Sequence, residues 1–226
     1  MRAGLALFSQ QGFARTSTRE IAEAAQANVA AISYYFGDKA GLYRAVFSEA
    51  QGKPQDDIER IAGDGLSLRE SLRGLYRGFL EPLRQGEMAR QCMKLHMREM
   101  IEPTGLWAQE IAAGMRPMHE ALVQALCRHL GVTQVDHDLQ RLAVCITGLG
   151  VHMHVGRDLT DAIVPALNAG AEALDLWLER LVMYAQGMVE AEALRRATQT
   201  PPAQASGAAV PSPCPRVRNP TDSDCR

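Results

Sequence analysis

Apolar positions along the chain recur at intervals of three and four, and sustained alternation rich in Val, Ile and Thr is not found. Ala, Leu, Met, Glu, Gln and Arg dominate between isolated prolines, so the pattern predicts an all-α fold. Helical breaks are expected around Gly63 to Ser67, at Glu102-Pro103, near Gly131 and at Gly156 to Thr160. The clearest run is Val164, Leu167, Ala171, Leu174, Leu178, Leu181, Ala185 and Met188, a seam for packing against another helix. Trp177, Val182 and Tyr184 lie off that seam, so the helix needs cover on more than one side and is read as both core and subunit interface. Its expected companion carries Leu142, Ile146, Leu149 and Met153; two such helices from each copy would build an isologous four-helix dimer interface.

Toward the N-terminus the periodic segments shorten. Leu5 and Phe8 share one face of a helix that Gly12 ends, with Phe13 as an apolar anchor. Ser17 and Glu20 form a Ser-x-x-Glu capping box for a short helix that turns Ile21, Ala22 and Ala25 inward. After a three-residue turn, Asn28 caps a helix from Val29 to Phe36, Gly37 closes it, and Asp38 caps a fourth that carries Leu42 and Val46 inward. Two short helices joined by a tight turn describe a helix-turn-helix, whose second helix is the one that enters a DNA major groove. Val29, Ala30, Ala31 and Ser33 are small enough to let that helix lie close to base edges. Tyr34 and Tyr35 either offer hydroxyls to phosphates or pack in a small core. Lys39 stands in the first turn of its helix, where a cation opposes the macrodipole; a phosphate contact explains it, and a solvated surface lysine is the alternative.

Charge changes the picture only when counted by segment. The whole chain carries 24 Lys and Arg against 26 Asp and Glu, which excludes a basic protein that coats nucleic acid with its entire surface. Residues 1–53 nevertheless hold six basic against four acidic side chains, residues 54–196 fifteen against twenty, and residues 197–226 three against two. That last segment also has six of the eleven prolines, and its composition predicts a disordered tail. Five scattered cysteines without a Cys-x-x-Cys pair fit reduced thiols. No apolar run reaches the roughly 18 residues of a membrane span, so a cytoplasmic protein without a membrane partner is expected.

The middle of the chain holds the candidate effector site. Six of ten methionines fall between Met88 and Met118, and Met93, Met97 and Met100 share a helix face near His96, Trp107, Met115 and His119, with His152 further on. Methionine adapts to irregular apolar shapes, so the cluster would line a pocket for a hydrophobic or aromatic ligand; a Met-rich core is the plain alternative. His96, His119, His152 and His154 invite a metal, but on a helix His152 and His154 point about 200° apart, and no metal or other cofactor is expected. No Gly-x-Ser-x-Gly, Walker loop, dinucleotide glycine motif or His-Glu-x-x-His is present, so no catalytic residue is assigned and an enzyme using the Met/His cavity, or an adaptor without DNA binding, stays an alternative.

The stretches Gly-Phe-Ala-Arg-Thr-Ser-Thr-Arg-Glu-Ile-Ala-Glu-Ala-Ala from Gly12 and Ala-Ile-Ser-Tyr-Tyr-Phe-Gly-Asp-Lys-Ala-Gly-Leu-Tyr-Arg-Ala-Val from Ala31 resemble the DNA-binding domain of TetR/AcrR transcriptional regulators. The resemblance implies phosphate contacts from Thr18, Tyr34, Tyr35 and Lys39, and base-facing positions at Asn28, Val29, Ala30 and Ser33. Two departures follow from it. Gln26 stands where the family has a turn glycine, which predicts a strained or reshaped turn. The family's first helix starts some ten residues earlier, so Met1 falls inside it; weaker DNA binding and more salt-sensitive folding are expected, with a misassigned start as the plain alternative. More loosely, Lys94 to Pro103, Ile146 to His152 and Gly156-Arg157-Asp158 resemble the C-terminal domain of the CerR/CecR-type subgroup.

The expected organisation is a helix-turn-helix head over residues 1–48, an effector-binding and dimerisation domain over 49–196, and the tail over 197–226. The expected function is a ligand-responsive homodimeric repressor, released from a palindromic double-stranded DNA operator by a small hydrophobic effector.

Overall fold

The computed structural model describes residues 1–49, 54–105 and 114–199. Within them the chain is helical: α1 Arg2–Gln11, α2 Thr18–Ala24, α3 Val29–Phe36, α4 Lys39–Glu49, α5 Pro54–Ala62, α6 Leu68–Arg84, α7 Glu87–Ile101, α8 Arg116–Leu130, α9 His137–Val155, α10 Arg157–Ile163, a 3-10 turn Pro165–Asn168, and α11 Ala173–Gln199. No helix among the described residues is long and apolar enough to cross a membrane.

Local chemistry sets the boundaries of the short helices. Gly12, with φ of 83°, ends α1 and donates its N–H to Phe8. Ser17 and Glu20 cap α2 reciprocally, as do Ser67 and Glu70 at α6. Asn28 caps α3, and Asp38 accepts from the Gly41 amide in the first turn of α4. Gln26 sits in the left-handed region with φ of 52°, the one non-glycine among the described residues to do so. The turn therefore keeps the glycine-type backbone and carries the strain.

Two hydrophobic cores result. The head core gathers Leu5, Phe8, Ile21, Ala22, Ile32, Leu42, Tyr43, Val46 and Phe47, and it also includes Leu95 from α7. The body core is mostly aliphatic and joins α5, α6, α8, α9 and α11 through residues such as Leu72, Leu80, Leu122, Leu126, Ile146 and Val182. Helices α6 and α9 approach so closely that a Cβ at Gly150 would lie 2.4 Å from the Phe79 ring. Tyr76, fully buried, donates its hydroxyl to the Ile146 carbonyl at 3.0 Å across the same contact. Arg69 and Arg73 on α6 reach Glu179 on α11, and Arg84 pairs with Asp175 at 2.6 Å.

The C-terminal seam needs correction. The helix starts at Ala173, because Val164 ends α10 and Pro165 opens a 3-10 turn, so Val164 and Leu167 lie outside it and are exposed. Leu142, Ile146, Leu178 and Leu181 are buried in the chain's own core, and Leu149 and Leu174 pack against that core. Leu142, Ile146, Leu178 and Leu181 are thus taken up by the chain's own core, whereas Leu149 and Leu174 stay partly exposed. The expectation for residues 200–226 lies outside the described residues, and α11 continues past 196 to Gln199.

Candidate nucleic-acid interface

Helix α3 is held by one face and free on the others. Ile32 drives into the head core, while Asn28, Val29, Ala30 and Ser33 are exposed on the outer side. An α-helix presents positions three and four apart together, so Val29, Ala30 and Ser33 make one continuous surface of small side chains. The Asn28 carboxamide oxygen already accepts from the Ala30 amide at 2.8 Å, which leaves its NH2 group as the available donor.

Tyr34 and Tyr35 are 82% and 73% exposed, so core packing does not account for them. Their rings meet edge to face at 4.9 Å, an arrangement that stiffens each without burying either hydroxyl. Thr18 is half-buried in the first turn of α2, next to the exposed Arg19. Arg15, Arg19 and Arg44 are exposed cations of the head that the motif reading did not single out; the excess of basic residues in this segment was their only signal.

Lys39 has a structural task that the sequence did not disclose. Its ammonium donates to the Phe13 carbonyl at 2.9 Å and the Thr16 carbonyl at 3.0 Å, and sits 4.4 Å from the centre of the Phe13 ring. Two of its three donors are thereby used inside the chain, pinning the turn after α1 to the start of α4.

The predicted effector residues are spread over several surroundings. His96 meets the Phe47 ring at 4.5 Å with the planes tilted by 35° and contacts the Cys92 carbonyl through Nδ1 at 2.8 Å, so it faces the head. Met93 and Met97 are half-buried, Met100 and Met115 are exposed, and Trp107 lies outside the described residues. His119 contacts the Gln140 side chain, and His152 is exposed near the end of α9. His154, facing elsewhere, contacts the Phe79 carbonyl at 2.7 Å; burial pulls its pKa below the usual imidazole value. Among the described residues no three His, Cys, Asp or Glu side chains group to hold a metal ion. An open groove of about 530 Å³ runs between α5 and α6, but its lining of Asp56, Glu59, Arg60, Arg73 and Arg77 is charged and is not the methionine site.

An outward-facing helix of small residues, flanked by exposed tyrosines and arginines and mounted on an all-α body, defines a helix-turn-helix protein. Residues 1–46 match the model of the bacterial regulatory proteins of the tetR family, and residues 68–191 match that of the CecR C-terminal domain. The chain belongs to the TetR family, in the subgroup with the CecR-type C-terminal domain. It is 31% identical over 145 residues to the HTH-type transcriptional dual regulator CecR of Shigella flexneri, covering 59% of this chain and 64% of that protein. It is 51% identical over 49 residues to the probable HTH-type transcriptional regulator YttP of Bacillus subtilis (strain 168), covering 22% of this chain and 24% of that protein. The chain thus spans less than two thirds of the length of either relative. In fold it is similar to a tetR-family regulatory protein from Rhodococcus RHA1, with a TM-score of 0.60 at 18% identity over 83% of this chain and 93% of the other.

Proposed function

We propose that the chain is a ligand-responsive, non-enzymatic regulator of transcription that works in the cytoplasm as a homodimer and represses by occupying a palindromic operator. The observation that carries this reading is α3, anchored by Ile32 with Phe36 packed against the same core, and offering Asn28, Val29, Ala30 and Ser33 outward beside two exposed tyrosines. In it those four residues read bases, while Thr18, Tyr34, Tyr35 and the remaining donor of Lys39 position the head on phosphates. One eight-residue helix contacts few bases, so two copies on two half-sites supply the affinity.

The dimer surface we propose is the exposed side of α9 and α11. On α9 the exposed positions are Val144, Cys145, Gly148, His152 and Val155; on α11 they are Leu176, Arg180, Met183, Tyr184 and Gly187. Each set steps by three and four along one helix face. A Cβ at Gly148 or Gly187 would meet nothing within 4 Å among the described residues, so packing among them gives no reason for either glycine. A helix-interior glycine costs about 1 kcal/mol against alanine, a cost that close crossing of a partner helix would offset.

The effector is a hydrophobic small molecule seated against the Met93, Met97 and Met100 face of α7, favouring the arrangement that does not bind DNA. Selection of genomic fragments on the purified chain, followed by salt titration, tests the proposal. Retention of a palindrome that Tyr34→Ala weakens is expected; retention of no palindromic fragment overturns it. Met183→Glu is expected to yield monomers by analytical ultracentrifugation, and an unchanged dimer would displace the interface.

A further inference from the structure

The head and body meet at α7, and the polar part of that joint is unevenly built. Glu99 is 0% exposed, and its two oxygens serve different partners. Oε2 accepts from the Tyr43 hydroxyl on α4 at 2.8 Å. Oε1 accepts from both the amide and the hydroxyl of Thr104, just past α7, at 2.7 Å each. Tyr43 is itself buried, and its phenol is pushed up in pKa by burial and by the carboxylate it faces.

The following ties across the joint are of another kind. Leu95 and the contact of Phe47 with His96 are apolar or ring contacts, which attract without fixing a rotation. Arg98 reaches the Gln10 carbonyl only at 3.5 Å, and Arg15 and Glu102 are 4.0 Å apart with both side chains largely exposed. An apolar residue in place of Glu99 would avoid the desolvation of a carboxylate, so stability alone does not call for it. What a short, buried, three-donor carboxylate adds is direction: α7 cannot turn or slide on α4 without stranding a donor.

We propose that Glu99 is a positioning residue for DNA reading: it fixes the angle at which each head sits on the body, and through α4 and α3 it sets the half-site spacing the dimer accepts. This rests on the DNA-reading dimer proposed above. Moving one half-site by a base pair displaces it by about 3.4 Å and rotates it by about 35°, a demand only a loosened head meets.

The test measures affinity for three operators, the selected one and versions with one base pair inserted or deleted at the centre. The wild type is expected to prefer its own spacing by about tenfold or more. Glu99→Gln and Tyr43→Phe are expected to keep the dimer and the half-site sequence while that preference shrinks to within about threefold. Tyr43→Phe removes a single oxygen and leaves Glu99 its Thr104 donors, so it carries the test if Glu99→Gln does not fold. An equal loss of affinity at all three spacings would mean that Glu99 only stabilises the fold, and an unchanged preference would mean that it does not set the angle; either overturns the inference. A wild type that retains no palindrome fails earlier, at the DNA-reading proposal itself.

Discussion

The head and the body are stabilised by different means. The body buries a large aliphatic core shared by five helices and fastens α6 to α11 with arginine-carboxylate pairs at its surface. The head has a small core in which Phe8, Phe13, Tyr43 and Phe47 are in ring contact, and it completes that core with a residue of the body, Leu95. Its polar ties run inward: an ammonium to two carbonyls, and a tyrosine to a buried carboxylate of α7. A core this small leaves each tie a larger share of the stability, so the head depends on its joint while the body does not.

The strongest way to break that contrast is Leu95→Ala. Truncation of a fully buried leucine costs roughly 2–5 kcal/mol, and hydrogen exchange is expected to rise in α1 and α4 while α6 and α9 stay protected. Equal deprotection of α6 and α9 would mean that head and body unfold as one unit. Next in size is Lys39→Met, which leaves two carbonyls without a charged donor and is expected to cost roughly 1.5–3 kcal/mol by urea melting. The same variant sharpens the role of Lys39: a loss of about one from the salt slope of operator binding adds a phosphate contact to the structural one.

Gln26→Gly relieves a left-handed φ and is expected to stabilise the head by about 1 kcal/mol, seen as a higher urea midpoint; a lower midpoint would mean that the glutamine side chain compensates the backbone. The smallest effect belongs to the body. His154 has a folded pKa below its ordinary value of 6.5, chiefly from burial, with Arg157 adding to it. The unfolded chain therefore binds a proton first, and this contribution is complete above about pH 6.5 and declines as pH falls below it. The Tm of the wild type is expected to drop more between pH 7.5 and 5 than that of His154→Gln; parallel curves would remove His154 as the cause.

What could be read in advance follows the same division. Ser17, Glu20, Asn28, Gly12 and Gly37 act on atoms within four residues of themselves, so their caps and turns could be placed from spacing alone. The strain at Gln26 was legible only through the family resemblance, which puts a glycine at that turn. In the body, the period of three and four was real, but α11 has apolar residues all round, and periodicity cannot say which face a helix keeps for itself and which it shows. Leu178 and Leu181 therefore fell to the core, while Met183 and Tyr184 stayed outside. Lys39 and Glu99 were illegible because their partners lie 23, 26 and 56 residues away.

The Lys39 contact has one more consequence. By joining a side chain at position 39 to the carbonyl of Phe13, it closes the stretch from residue 13 to residue 39 into a ring that contains α2 and α3 entire. The closure is made of groups on the inside of that ring, and the outward positions of α3 take no part in it. In the proposed reading, substitutions at Val29, Ala30 or Ser33 would alter which bases are read without reopening the ring, so that surface and the closure that supports it would be free to vary independently.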